Sequence, residues 1–89
     1  MKRASTDLSV TRMTKLDGSG AVKAFCDVAV GNALLLRSFK VVEGKQGLFV
    51  SMPRELGKNG FWFDIVVALT QHAKEDLRRV ILEAYHDEQ

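Results

Sequence analysis

The chain has 89 residues, 46% of them hydrophobic and 27% charged, with 13 Lys and Arg against 11 Asp and Glu for a net charge of +2. That composition belongs to an ordinary globular chain of one domain's length, not to a disordered, collagen-like or low-complexity one, and at this size folding buries only about 60–65% of the unfolded surface. No apolar run reaches the ~18 to 20 residues that cross a bilayer, and the basic start Met1-Lys2-Arg3-Ala4-Ser5 is not followed by the apolar segment of a secretory signal, so a cytoplasmic domain over residues 1–89 with no membrane partner is expected.

The single cysteine, Cys26, cannot close an internal disulfide, and with His72 and His86 it gives too few ligands for a zinc site within one chain. Residues 1–44 carry seven basic against four acidic residues and residues 45–89 carry six against seven. Neither half has the basic bias that would by itself point to nucleic acid.

In chain order, Leu8, Val10 and Arg12 alternate with Ser9 and Thr11, which predicts a half-buried first strand, and Asp17-Gly18-Ser19-Gly20 supplies a turn. From Val22 to Val30 every second residue is apolar until Gly31-Asn32, a dipeptide suited to a two-residue hairpin turn. Pairing outward from that turn sets Val30, Val28, Cys26, Ala24 and Val22 on one face with Ala33, Leu35, Arg37, Phe39 and Val41. The opposite face carries Lys23, Phe25, Asp27 and Ala29 with Leu34, Leu36, Ser38 and Lys40, and so is apolar near the tip. A domain this small must struggle to cover that tip, which predicts self-association through the strands.

Residues 43–47 form another turn, and residues 48–52 a short strand stopped by Pro53. Residues 54–60 hold three turn formers, Gly57, Asn59 and Gly60, and no periodicity, which predicts a loop. Residues 61–69 are apolar and fit a strand or a buried helix; their β-branched and aromatic content favours strand through Val66.

The last segment has Ala73, Leu77, Val80, Ile81 and Ala84 at helical spacing, Thr70 as the N-cap, and Glu75 and Asp76 towards the positive end of the dipole. It predicts an amphipathic helix of about four turns. Leu82 falls outside the core stripe, on a flank with Gln71, Lys74, Arg78 and Tyr85. Strands first and helix last make the predicted fold class α+β: a small antiparallel sheet with a long hairpin, followed by a C-terminal amphipathic helix.

Catalytic candidates are weak. Cys26 reads as a core thiol rather than a nucleophile, and Asp64, in an apolar run, needs a backbone or ionic partner. Gly18-Ser19-Gly20 lacks the third glycine of a dinucleotide fingerprint, and Gly57-Lys58 lacks the Walker spacing. His72 and His86 lie roughly 21 Å apart on one helix, too far to share a metal, and read as surface histidines. No enzyme activity, cofactor, metal or small-molecule substrate is expected.

The cations of the helix remain. Lys74 and Arg78 are an i, i+4 like-charge pair, which disfavours a helix slightly and so points to an external anion, whereas Arg79 can pair with Glu75 and Glu83. Arg54 and Lys58 would extend the patch, diluted by Glu55. From the residues alone a plain solvated charged face is the favoured reading, with phosphate binding behind it.

The stretch EGKQGLFVSMP from Glu43 to Pro53, with FWFDI from Phe61, EAYH from Glu83 and TDLSVTRM from Thr6, resembles the SpoVG family of stage V sporulation or septation proteins. The resemblance covers nearly the whole chain, and the seven residues ending at Pro53 are its most specific part. It implies a non-enzymatic α+β homodimer that binds DNA and RNA and regulates cell division, sporulation and gene expression. Carried onto matching positions, it implies nucleic-acid contact by Lys74, Arg78 and Arg79. Three departures bear on affinity and sequence preference. Residues 54–60 have fewer bases and no proline, Val67-Ala68 stands where His-Pro is frequent, and Asp76 stands where a base is common. A protein-interaction module of the division machinery, using the Leu82 and Tyr85 flank without nucleic acid, is the other function class.

Overall fold

In the computed structural model, residues 7–87 are described; the segment read above for a signal peptide and Thr6 of the family resemblance lie outside them. The elements are β1 (Leu8–Lys15), β2 (Val22–Val30), β3 (Leu34–Gly44), β4 (Gly47–Ser51), β5 (Arg54–Leu56), β6 (Trp62–Asp64) and α1 (Gln71–Asp87). Strands β1 to β4 form one antiparallel sheet in chain order, and β5 and β6 pair as a separate two-stranded sheet. The α+β class is as predicted.

One face of the four-stranded sheet is apolar and takes the helix. Ala24, Cys26, Val28, Phe39 and Val41 are buried there under Leu77 and Ile81. The helix crosses the sheet and touches all four strands, β1 most extensively. Its N-terminus is capped as the sequence predicts: the Ala73 N–H donates to Thr70 Oγ1 at 3.0 Å, which satisfies one of the orphan amides of the first turn.

The hairpin register differs from the expected one. A three-residue loop, Gly31-Asn32-Ala33, replaces the two-residue turn, with Gly31 at φ 56°, and Val30 pairs with Leu34. A slip of one residue exchanges the two faces, so at the tip Leu36 joins the core face opposite Val28 and Leu35 pairs with Ala29 on the other. Lower down, Arg37 and Ser38 together span the gap between Leu36 and Phe39, where β2 advances only from Val28 to Cys26. This bulge restores the predicted parity, and Phe39 and Val41 face the core as expected. Ser38 takes the left-handed φ of 75°, uncommon for a residue with a Cβ. Its N–H donates to Asp27 Oδ1 at 3.4 Å.

A second bulge lies across β2. Val10 pairs with Val28 and Arg12 with Asp27, which leaves Thr11 over. The alternation that starts at Leu8 and Val10 therefore passes to Met13, which packs on the core, and Arg12 turns to the opposite face. Both bulges flank Asp27.

Two further expectations are corrected. Residues 54–60 are not simply a loop, because Arg54–Leu56 is β5, and the strand expected over residues 61–66 is limited to β6. The two pair around a tight turn in which the Gly57 N–H donates to the Phe61 carbonyl at 2.9 Å and Gly60 takes a φ of 87°. Among the described residues, this arm packs against no other element. Phe61, Trp62, Phe63, Ile65, Val67 and Leu69 are all exposed, Leu69 at 94%. The helix is also turned relative to its expected stripe: Leu82 and Tyr85 pack on the core and Val80 does not belong to it.

Candidate nucleic-acid interface

The turn of the helix that brings Leu82 inward sets Lys74 and Arg78, on the same flank, at the margin of the helix–sheet contact. Both are exposed. The nearby cations behave differently. Arg79 is held by Asp76 at 3.2 Å and Glu83 at 3.9 Å; Asp76 takes the place that the spacing gave to Glu75, which instead accepts a hydrogen bond from Gln71. Among the described residues, no carboxylate lies within ion-pair reach of Lys74 or Arg78.

A shallow cavity of about 430 Å³ lies between the helix and the β3–β4 turn, lined by Lys45, Gly47, Phe49 and Arg78 among others. Lys45 thus joins Arg78 at one concavity. Nothing in the sequence marks Lys45, since its place depends on where the helix crosses the sheet.

Arg54 and Lys58 are not brought to this flank. Arg54 lies on β5 and pairs with Asp64 of β6 at 3.0 Å, which supplies the ionic partner that Asp64 was expected to need. Lys58 lies in the turn of the arm, and the arm makes no contact with the helix.

Residues considered for catalysis occupy other settings. Cys26 is 1% exposed, and burial first, then the Asp27 charge, push its thiol up to about 11, which leaves little thiolate at neutral pH. Both histidines are exposed, as expected of surface residues, and both have neighbours: His72 Nε2 is 3.3 Å from Asp76, and His86 meets the Tyr85 ring edge-on at 5.6 Å. Among the described residues, no three His, Cys, Asp or Glu side chains gather as a metal site, and no helix is long and apolar enough to cross a membrane.

Residues 5–87 match the model of the SpoVG family. A protein of Archaeoglobus fulgidus is 32% identical over 83 residues, covering 93% of this chain and 98% of that protein. One from Desulforudis audaxviator is 36% identical over 80 residues, covering 90% of this chain and 88% of its own length. A third, from Symbiobacterium thermophilum, is 39% identical over 74 residues, which make up 83% of this chain; the match spans about half, 53%, of that longer relative. All three bear the name septation protein SpoVG.

Proposed function

This chain belongs to the SpoVG family, and from that premise we propose that it is a non-enzymatic regulator of cell division, sporulation or gene expression that acts as a homodimer and binds DNA and RNA through their phosphates. The link to septation or sporulation is supported by the names of its relatives. The observation that carries the binding surface is the pair Lys74 and Arg78, one helical turn apart and without a carboxylate partner among the described residues, while Arg79 and Arg54 have theirs. Lys45 adds a third cation at the same margin. Phosphates lying along this flank would relieve the like-charge repulsion within the helix, and a twofold dimer presents the flank twice.

Titration of labelled duplex DNA across salt concentrations tests the reading. Each phosphate contact adds about 0.9 to the slope of log affinity against log salt. The double variant Lys74→Ala, Arg78→Ala should flatten the slope by up to roughly four units in a dimer, whereas Arg79→Ala should change it less. Unchanged affinity and slope in the double variant would remove the helix flank as the binding surface.

The second reading, a protein-interaction module that ignores nucleic acid, loses the flank that suggested it, because Leu82 and Tyr85 are packed on the sheet. It gains the exposed aromatic arm of Phe61, Trp62 and Phe63. Absence of any salt-dependent binding by the unaltered protein would favour it.

A further inference from the structure

The helix covers one face of the four-stranded sheet and leaves the other open. Strand parity puts Phe25 on the open face, opposite Lys40 of β3, and Phe49 of β4 opposite Val42. The two rings are 40% and 46% exposed. Lys40 sits between them in the sheet, its Nζ 5.9 Å from the centre of the Phe25 ring. Phe49 lies over Gly44, where an added Cβ would meet Cε1 at 3.0 Å, so the glycine lets the ring approach β3 closely. From strand spacing and rise, the two Phe positions are roughly 12 Å apart on a diagonal of the sheet.

The bulges on either side of Asp27 complete the surface. They turn Arg12 of β1 and Arg37 of β3 to the same open face, and both line a shallow cavity of about 460 Å³ together with Phe25, Asp27 and Ser38. Arg37 approaches Asp27 only to 3.9 Å and keeps 70% of its side chain exposed. Three cations, Arg12, Arg37 and Lys40, thus face one carboxylate. Bulges concentrate where a strand must re-aim a side chain.

We propose that this open sheet face is a second nucleic-acid surface, one that takes single strands by stacking bases on Phe25 and Phe49 while Arg12, Arg37 and Lys40 hold the phosphates. Exposed rings interleaved with cations on a sheet suit an unpaired polynucleotide, whose bases are free to lie on a π-face. A duplex keeps its bases stacked internally and has no such use for the rings. The inference rests on the reading that the protein binds nucleic acid, and it distinguishes two modes: phosphate contact along the helix flank, and base stacking on the opposite side of the sheet, with Phe49 at the sheet edge where the two surfaces meet.

Fluorescence anisotropy with labelled oligo(dT), oligo(U), an abasic strand of equal length and a duplex tests it. Phe25→Ala should weaken binding of oligo(dT) or oligo(U) about 5- to 150-fold, the range for loss of one stacked base, with little effect on the abasic strand or the duplex. Phe25→Trp should restore binding, which guards against reading a folding defect as lost stacking. The dT and U arms show whether DNA or RNA is preferred. Equal oligo(dT) and oligo(U) affinities for Phe25→Ala and the unaltered protein overturn the proposal, as does an abasic strand bound as tightly as oligo(dT) and oligo(U). Binding of duplex but of neither single strand overturns it while leaving the helix flank intact; binding of no nucleic acid overturns both. Loss of a dimer by Phe25→Ala in light scattering would show that the face is an interface between copies, and would overturn it too.

Discussion

Cys26 illustrates how much one buried group can couple the fold to its solvent. Its thiol is raised from an ordinary value near 9 to about 11, by burial first and the Asp27 carboxylate second. Between those values the unfolded chain has released the proton and the folded one retains it. The unfolded state therefore binds fewer protons, and stability falls as pH rises. The contribution is whole below about pH 9 and is lost as pH climbs through about 11, a change on the order of 3 kcal/mol. Cys26→Ala should lower stability at pH 8 yet show a shallower decline than the unaltered protein between pH 9 and 11 in urea unfolding. Parallel declines would mean that other groups set the alkaline limit. Asp27 next to it has a different task. It receives the Ser38 N–H and faces Arg37 and Arg12, so one carboxylate serves both bulges.

The helix sets the scale of the elements. Ile81 is fully buried, Leu82 half-buried on the core, and Val80 outside it. Ile81→Ala should then cost about 2–5 kcal/mol, Leu82→Ala less, and Val80→Ala and Glu83→Ala under about 1 kcal/mol. Chemical denaturation that ranks Val80 above Leu82 would show the helix rotated the other way. The existence of this helix, its cap at Thr70 and the hairpin arms were legible in the sequence, because periods of 3.6 and 2 follow directly from backbone geometry. Its rotation was not. Val80 and Leu82 flank Ile81 and are both apolar, so periodicity alone cannot choose between them.

The hairpin register was half legible for a related reason. A one-residue slip at Gly31-Asn32-Ala33 and a compensating bulge at Arg37-Ser38 leave no mark on composition, since either arrangement puts apolar residues inward. Residues 61–69 fit a strand or a buried helix, with strand favoured through Val66 by β-branched and aromatic content, but an outward-facing surface can be just as apolar. Among site residues, the spacing of Lys74 and Arg78 was readable along the chain. Lys45, Phe25 and Phe49 gained meaning only once it was known where the helix lies and which sheet face it leaves open.

For the whole molecule the decisive feature is the arm of β5 and β6. Trp62 is 58% exposed, Phe61 and Phe63 on either side of it in sequence are exposed too, as are Ile65, Val67 and Leu69 of the segment that follows, and among the described residues the arm leans on no other element. Large apolar side chains left in solvent suit an interaction site, and in the proposed homodimer the arm is the surface that a second copy would bury, together with the exposed tip residues Leu34 and Leu35. Trp62→Asp should give a monomer by light scattering with unchanged circular dichroism, because the arm supports none of the core. A monomeric mass for the unaltered protein at micromolar concentration would refute the dimer.

Because the sheet runs β1-β2-β3-β4, its two outermost strands are the first and the fourth, and each presents a row of backbone groups to which a foreign strand could add. Both are blunted. The bulge at Thr11 distorts β1, and Arg12 and Lys15 charge it; β4 runs for five residues and Pro53 follows two residues later, unable to donate to a further ladder. Runaway edge-to-edge growth through an extended backbone ladder is thereby discouraged. Fibre growth, which needs an open and regular strand edge, is opposed on both sides of the sheet.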